Sequence, residues 1–206
     1  MKERPILFSA PMVRAILEGR KTQTRLVVKP QPKHRLVEGL AHVTIGMRPE
    51  EDGQVWYDAD GINAGREVRC PYGRIGDRMW VKQSACYWTY PNGRVGGLEP
   101  IVYNDDDEWS GVRKDSLISR PKELEEHVGW WKFRPSIHMP RWASRITLEV
   151  VNVRVERLQQ IGEQDAKAEG VESVAEYAAL WDSINKGHKW HTHPWVWVVD
   201  FKVVKP

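Results

Sequence analysis

The run Gly19-Arg20-Lys21-Thr22-Gln23-Thr24-Arg25 sets a lysine three residues before a threonine, with an arginine beside each. A threonine hydroxyl becomes a useful nucleophile only when a base stands within hydrogen-bond reach. A lysine is that base only when burial or a cationic neighbour removes its proton. Arg20 or Arg25 could be the neighbour. The plain reading is that Lys21 neutralises the last carbonyls of a helix and Thr24 is an ordinary strand residue. A second concentration is His188, Lys189, Trp190, His191 and His193. Its spacing fits no standard zinc site, and Cys70 and Cys86 lie far off in sequence, so no metal and no other cofactor is expected. Trp190 and the imidazoles suit stacking on bases, with Lys186 and Lys189 on phosphates. The acidic run at 105–108 reads as a solvated loop.

The elements that must position these groups follow from periodicity. Residues 5–9 form a short apolar strand that runs into Pro11, and Met12, Ala15 and Ile16 then recur at helical spacing up to a Gly19 C-cap. Arg20 to Val28 is a turn feeding a second strand. Gly76-Asp77 is a turn before a strand at 79–85. The stretch 146–158 alternates with a phase change near Val150, the mark of a β-bulge. Residues 163–169 form a short helix ending at Gly170, and Ser173 with Glu176 opens another. Residues 195–204 are apolar enough for a central strand. Weaker strand signals fall at 54–57 and 101–103, inside two stretches, 29–75 and 89–134, that read as large insertions.

The resulting fold class is α+β, a mixed, mostly antiparallel β-barrel with peripheral helices, in a single domain over residues 1–206. Its core is 1–28, 76–88 and 135–206. With 31 basic against 28 acidic residues the chain is mildly cationic, so a nucleic-acid partner must meet a local patch. No apolar run approaches the roughly 20 residues that span a bilayer, so no membrane contact and a cytoplasmic location are expected. Two cysteines are too few for a disulfide framework. Eleven tryptophans serve cores and base-stacking platforms alike, and their strand-like settings favour the core for most.

The segment at 17–24 resembles the signature of the ASCH family, Gly-x-Lys-x-x-Glu-x-Arg after a helix, whose fold is PUA-like. Gly19 and Lys21 match, and Thr24 replaces the Glu. Small bacterial members that hydrolyse N4-acetylcytidine carry Gly-Arg-Lys-Thr-x-Thr there, as Gly19 to Thr24 do here. That resemblance implies a Lys21, Thr24, Glu169 triad, with Glu169 at the end of a helix similar to Leu-Thr-Glu-x-x-Ala-x-x-Glu. Phage and prophage members resemble the chain more widely, through its opening, Gly76 to Val81, and Pro194 to Phe201. The family's Arg falls on Leu26, with Arg25 beside it on the other strand face. Where relatives often place a Glu after the central strand, Gln83 follows Lys82.

Three function classes follow. The first is an amidohydrolase acting on an acylated cytidine or related nucleoside. The second is an RNA- or single-stranded nucleic-acid-binding module, or a ribonuclease, contacting its ligand through Arg14, Arg20, Arg25, Arg78, Lys82, Lys189 and Trp190. The third is a phage protein that binds a host protein through its insertions.

Overall fold

A computed structural model describes residues 1–31, 46–47, 54–58, 65–89, 102–103 and 130–204. Eleven strands and three α-helices occur among them: β1 Glu3–Leu7, α1 Ala10–Leu17, β2 Gln23–Val27, β3 Gly46–Met47, β4 Gln54–Asp58, β5 Gly65–Arg69, β6 Arg78–Lys82, β7 Ala85–Thr89, β8 Val102–Tyr103, β9 Trp130–Arg134, β10 Thr147–Arg157, α2 Glu163–Ala168, α3 Val174–Ile184 and β11 Trp195–Val204. The expected strand at 79–85 is two strands, β6 and β7, separated at Gln83 and Ser84. The acidic run at 105–108 lies outside the described residues.

The chain divides into two compact units. The first comprises Met1–Arg4, Ala15–Met79 and Thr147–Pro206, and the second Pro5–Arg14 and Trp80–Ile146. The first holds β10, β11, β2 and the beginnings of β1 and β6, strands that follow one another in the order β1-β6-β10-β11-β2. It also holds the β3-β4-β5 sheet, so residues 29–75 contribute a meander of their own. The second unit carries a three-stranded sheet ordered β8-β7-β9. The protein is thus mixed α+β with mostly antiparallel sheet. The described strands pair as open sheets and not as a closed barrel.

The central ladder shows why β11 is apolar almost throughout. It pairs antiparallel with β10 on one side and β2 on the other, and Val196, Trp197, Val198, Val199 and Phe201 are all buried. Alternation sends Val196 and Val198 to one face, where they join Leu158, Ile161, Ala166, Tyr177 and Trp181 in a core under α2 and α3. Trp197, Val199 and Phe201 take the other face. The bulge falls at Val151, where the register skips from Val150 opposite Phe201 to Asn152 opposite Asp200. Leu148 and Val150 before the bulge thereby share a face with Val153 after it, although their sequence parity differs. The same skip places Asn152, Arg154 and Glu156 on the helix-covered face.

Helix ends follow from backbone chemistry. Gly19 at φ +75° and Gly170 at φ +90° take the left-handed conformation just past α1 and α2, where a side chain would be strained. Ser173 caps α3, its hydroxyl accepting the Glu176 N–H at 3.2 Å, and Glu176 returns a carboxylate to the Glu172 N–H at 2.9 Å.

Candidate functional site

The polar centre of the first unit is built where β2 leaves α1 and α2 ends. Lys21 and Glu169, 148 residues apart, form an ion pair with Nζ to Oε2 at 2.7 Å. Their side chains are 0% and 3% exposed. Nζ also donates to the Glu169 carbonyl at 2.9 Å and the Gln23 carbonyl at 2.8 Å, so three acceptors meet the three protons an ammonium carries. Gly170 makes the approach of α2 possible. A Cβ there would lie 3.2 Å from the Lys21 Cβ and 3.1 Å from the Ala15 Cβ.

The other carboxylate oxygen of Glu169 faces Arg25, whose Nη1 is 3.4 Å away. Arg25 has no exposed side-chain surface, and its Nη2 meets Asp165 at 3.0 Å and Glu156 at 3.3 Å. Nη1 also donates to the Gln23 side-chain oxygen. Gln23 in turn donates to Asp200 at 2.6 Å, and Asn152 and Arg154 reach the same aspartate at 3.0 and 2.6 Å. Arg154 further contacts Glu156 at 2.5 Å. The result is a continuous network on the helix-covered sheet face, with three cations balanced against four carboxylates. Burial raises Tyr177 well above the ordinary phenol value, and the charge of Glu169 beside it adds to the rise. Burial works to raise the Asp165 carboxyl, but Arg25, Gln23, the Gly162 N–H and Arg154 together hold it below the usual value.

Of the three residues expected to act together, hydrogen bonds join Lys21 and Glu169. Thr24 is buried at 6% exposure and pairs with Val199 across the ladder. Alternation therefore turns its side chain to the face of Trp197 and Val199, opposite Gln23 and Arg25. Lys21 lies at the boundary between the faces. Phe201 donates to the Thr22 carbonyl and Val28 to the Trp195 carbonyl, so the even-numbered residues of this stretch point their backbone groups at β11. The Gln23 carbonyl that receives Nζ consequently points toward the outer edge of β2.

The expected phosphate contacts fare unequally. Arg25 was grouped with them on its charge, but it is enclosed and committed to carboxylates. Lys189 donates to the Asp182 carbonyl at 2.6 Å, closing the last turn of α3, and Trp190 packs on the α3 core with its ring 6.3 Å from Tyr177. Both contacts tie the loop back to the helix that precedes it, and both residues remain partly exposed. Arg78 is half-buried at the start of β6, with its Nε enclosed. Arg14 is exposed, and so is Arg20, which pairs with Glu18 at 2.5 Å. Lys82 donates to the Ile137 carbonyl at 2.5 Å. Arg20 and Lys167 line a surface depression of about 380 Å³ with Ala168, Gly170, Val171 and Glu172. In the histidine loop, His188 lends its carbonyl to the Trp181 indole at 2.7 Å, while His193 Nδ1 accepts the Gln159 N–H at 3.1 Å.

Sequence reading missed Gln23, Asn152, Arg154, Glu156, Asp165 and Asp200. A signal for three of them was present: beyond the Val151 bulge, Asn152, Arg154 and Glu156 form a polar period-two stripe inside an otherwise apolar strand. No family model matches the chain, and neither a curated protein nor a solved structure matches it.

Proposed function

We propose that the chain is an ASCH-type, PUA-like nucleoside-binding protein that hydrolyses an N4-acylated cytidine with Lys21, Thr24 and Glu169. The observation that carries this reading is the 2.7 Å contact between Lys21 Nζ and Glu169 Oε2, made across 148 residues in a buried setting. Along that contact a proton passes from the ammonium to the carboxylate, leaving an amine and a carboxylic acid. The amine takes the Thr24 proton as Oγ1 attacks the acyl carbon. The acid gives its proton to the departing N4 amine, and the acyl group stays on Thr24 as an ester. Water then cleaves the ester through the same pair. The reading requires Thr24 Oγ1, on the sheet face opposite Gln23 and Arg25, to come within reach of Lys21 Nζ when substrate is bound.

The test is turnover of N4-acetylcytidine by the wild type and by Thr24→Ala, with binding measured in parallel. The substitution removes one hydroxyl. Turnover should vanish while affinity stays within about tenfold, near 1.4 kcal/mol. An unchanged rate in Thr24→Ala overturns the triad. Absence of wild-type turnover, with RNA bound or cut, replaces the reading by an RNA-binding protein or ribonuclease. If nucleosides and RNA both fail to bind at physiological salt, the chain is instead a phage protein directed at a host protein.

A further inference from the structure

Where β10 ends and β11 begins, the 3-10 turn Leu158–Gln160 meets the loop 185–194, and His193 sits at their junction. The Gln159 backbone N–H donates to His193 Nδ1 at 3.1 Å, and the Gln159 side chain donates to the Trp190 carbonyl at 2.9 Å. Arg157, the last residue of β10, donates through Nη1 to the His193 carbonyl at 2.9 Å, and its guanidinium lies 4.3 Å from the centre of the Trp195 ring. His193 has φ 47°, the one positive φ outside glycine among the described residues. Histidine tolerates that conformation better than most side chains, and a backbone held there marks a position fixed by its surroundings.

A ring that accepts at Nδ1 is neutral and keeps its proton on Nε2. An imidazolium carries an N–H on both nitrogens, so it cannot accept from Gln159. The groups around the ring do not favour that charged form. On β10, Arg157 acts on it as a like charge, while Glu156 turns to the other strand face and is taken by Arg25 and Arg154. The turn supplies Leu158, Gln159 and Gln160, none of which titrates. In the loop, Lys189 is held by the Asp182 carbonyl at 2.6 Å, the Asp182 carboxylate receives the Trp190 N–H at 2.6 Å, and His191 is exposed. Burial, and then the Arg157 charge, hold the His193 ring below the ordinary histidine value of 6.5. A group depressed by folding stabilises the native arrangement above its unfolded value, and that contribution is lost as pH falls through the folded value.

We propose that His193 is a pH-operated latch: as a neutral ring it pins the loop before β11 to the turn before α2, and as an imidazolium it releases Gln159 and lets the two part. The turn runs through Ile161 and Gly162 into α2, which carries Asp165 and is capped at its C-terminus by Glu169. Acid therefore slackens the chain where it enters the polar centre. The latch stands on the contacts at this junction and depends neither on Thr24 nor on turnover of a nucleoside.

The experiment is nuclear magnetic resonance of the full chain, labelled with nitrogen-15, titrated from about pH 8 to about pH 5 across the range in which histidine changes charge. At the upper end the His193 ring should be protonated on Nε2 alone, and its midpoint should fall below 6.5. The Gln159 amide should shift with that same midpoint. Its protection against hydrogen exchange, corrected for the intrinsic rate, should drop by about tenfold across it, the loss expected of one hydrogen bond. The Glu176 amide, which donates to the Ser173 hydroxyl, should not follow. His193→Asn keeps a residue suited to positive φ and an acceptor that does not titrate, so Gln159 protection should become independent of pH. His193→Ala should leave Gln159 as weakly protected at the upper pH as the wild type is at the lower, and His191→Asn should leave the wild-type transition in place. The proposal is overturned if the neutral ring carries its proton on Nδ1, if Gln159 protection does not change through the His193 titration, or if His193→Asn retains the transition.

Discussion

Asp165 shows how one carboxylate couples the site to the stability of the first unit. Its side chain is 30% exposed and touches Arg25 at 3.0 Å, Gln23 at 3.3 Å and Arg154 at 3.5 Å. Burial pushes its carboxyl upward, but these partners outweigh burial and hold it below its ordinary value of 3.8. A carboxyl depressed by folding stabilises the native state above its unfolded value, and that stabilisation disappears as pH falls through the folded value. With partial exposure screening the charges, the contribution is about 1 kcal/mol or less. Asp165→Asn should therefore unfold at lower urea concentration than the wild type at neutral pH, and the gap should narrow as pH falls below 3.8 and the carboxylate is protonated. Urea titrations across pH 2–7 check this, and an equal gap at every pH would show that packing rather than charge is lost. Sequence reading could not reach Asp165 because its value lies in an arginine 140 positions away. Arg25 follows the same rule: a charge read alone suggests solvent or phosphate, and only the fold reveals the three carboxylates around it.

At the scale of elements, the boundary between β2 and α2 rests on a missing side chain. Gly170 ends α2 in the left-handed conformation and brings its backbone against Lys21 and Ala15. Alanine there meets two penalties, strain from the positive φ and a Cβ within 3.1–3.2 Å of its neighbours. The first alone costs about 1–3 kcal/mol. Gly170→Ala should lower stability by at least that much, whereas Gly187→Ala, where an added Cβ meets nothing within 4 Å, should stay within about 0.5 kcal/mol of the wild type. Equal melting temperatures for the two variants would contradict this account. Most elements were legible because their signals are local. Pro11 with the Gly19 cap bounded α1, Ser173 and Glu176 marked α3, the Val150 phase change marked the bulge, and β11 begins and ends where its apolar run does. The break at Gln83 and Ser84 was not legible. The flanking residues share strand propensity, and what separates β6 from β7 is pairing with distant segments: Val81 donates to the Ile146 carbonyl, and Ala85 pairs with Arg134. Closure of a barrel depends likewise on which strands pair, which strand propensity does not encode.

For the whole molecule, the two units happen to carry one thiol apiece. Cys70 lies in the first and Cys86 in the second, both unpaired by disulfide and only 3% and 2% exposed. Burial pushes each thiol up to about 11. For Cys70, hydrogen bonds from the Tyr72 and Gly73 backbone and the Arg4 charge only partly offset that rise. At pH 8 roughly one such thiol in a thousand is ionised, against about a quarter of exposed thiols, and only the thiolate attacks a disulfide reagent. Native protein should therefore react with an aromatic disulfide at least about a hundredfold more slowly than free cysteine, before any steric protection is counted. Labelling then reports opening. Cys70→Ser leaves a probe of the second unit, and Cys86→Ser leaves a probe of the first. Added urea should accelerate both, and because the two thiols belong to different units, separate unfolding gives two rates with different urea dependence, whereas joint unfolding gives one. Fast labelling of either variant in the absence of denaturant would show that its thiol is not enclosed as described.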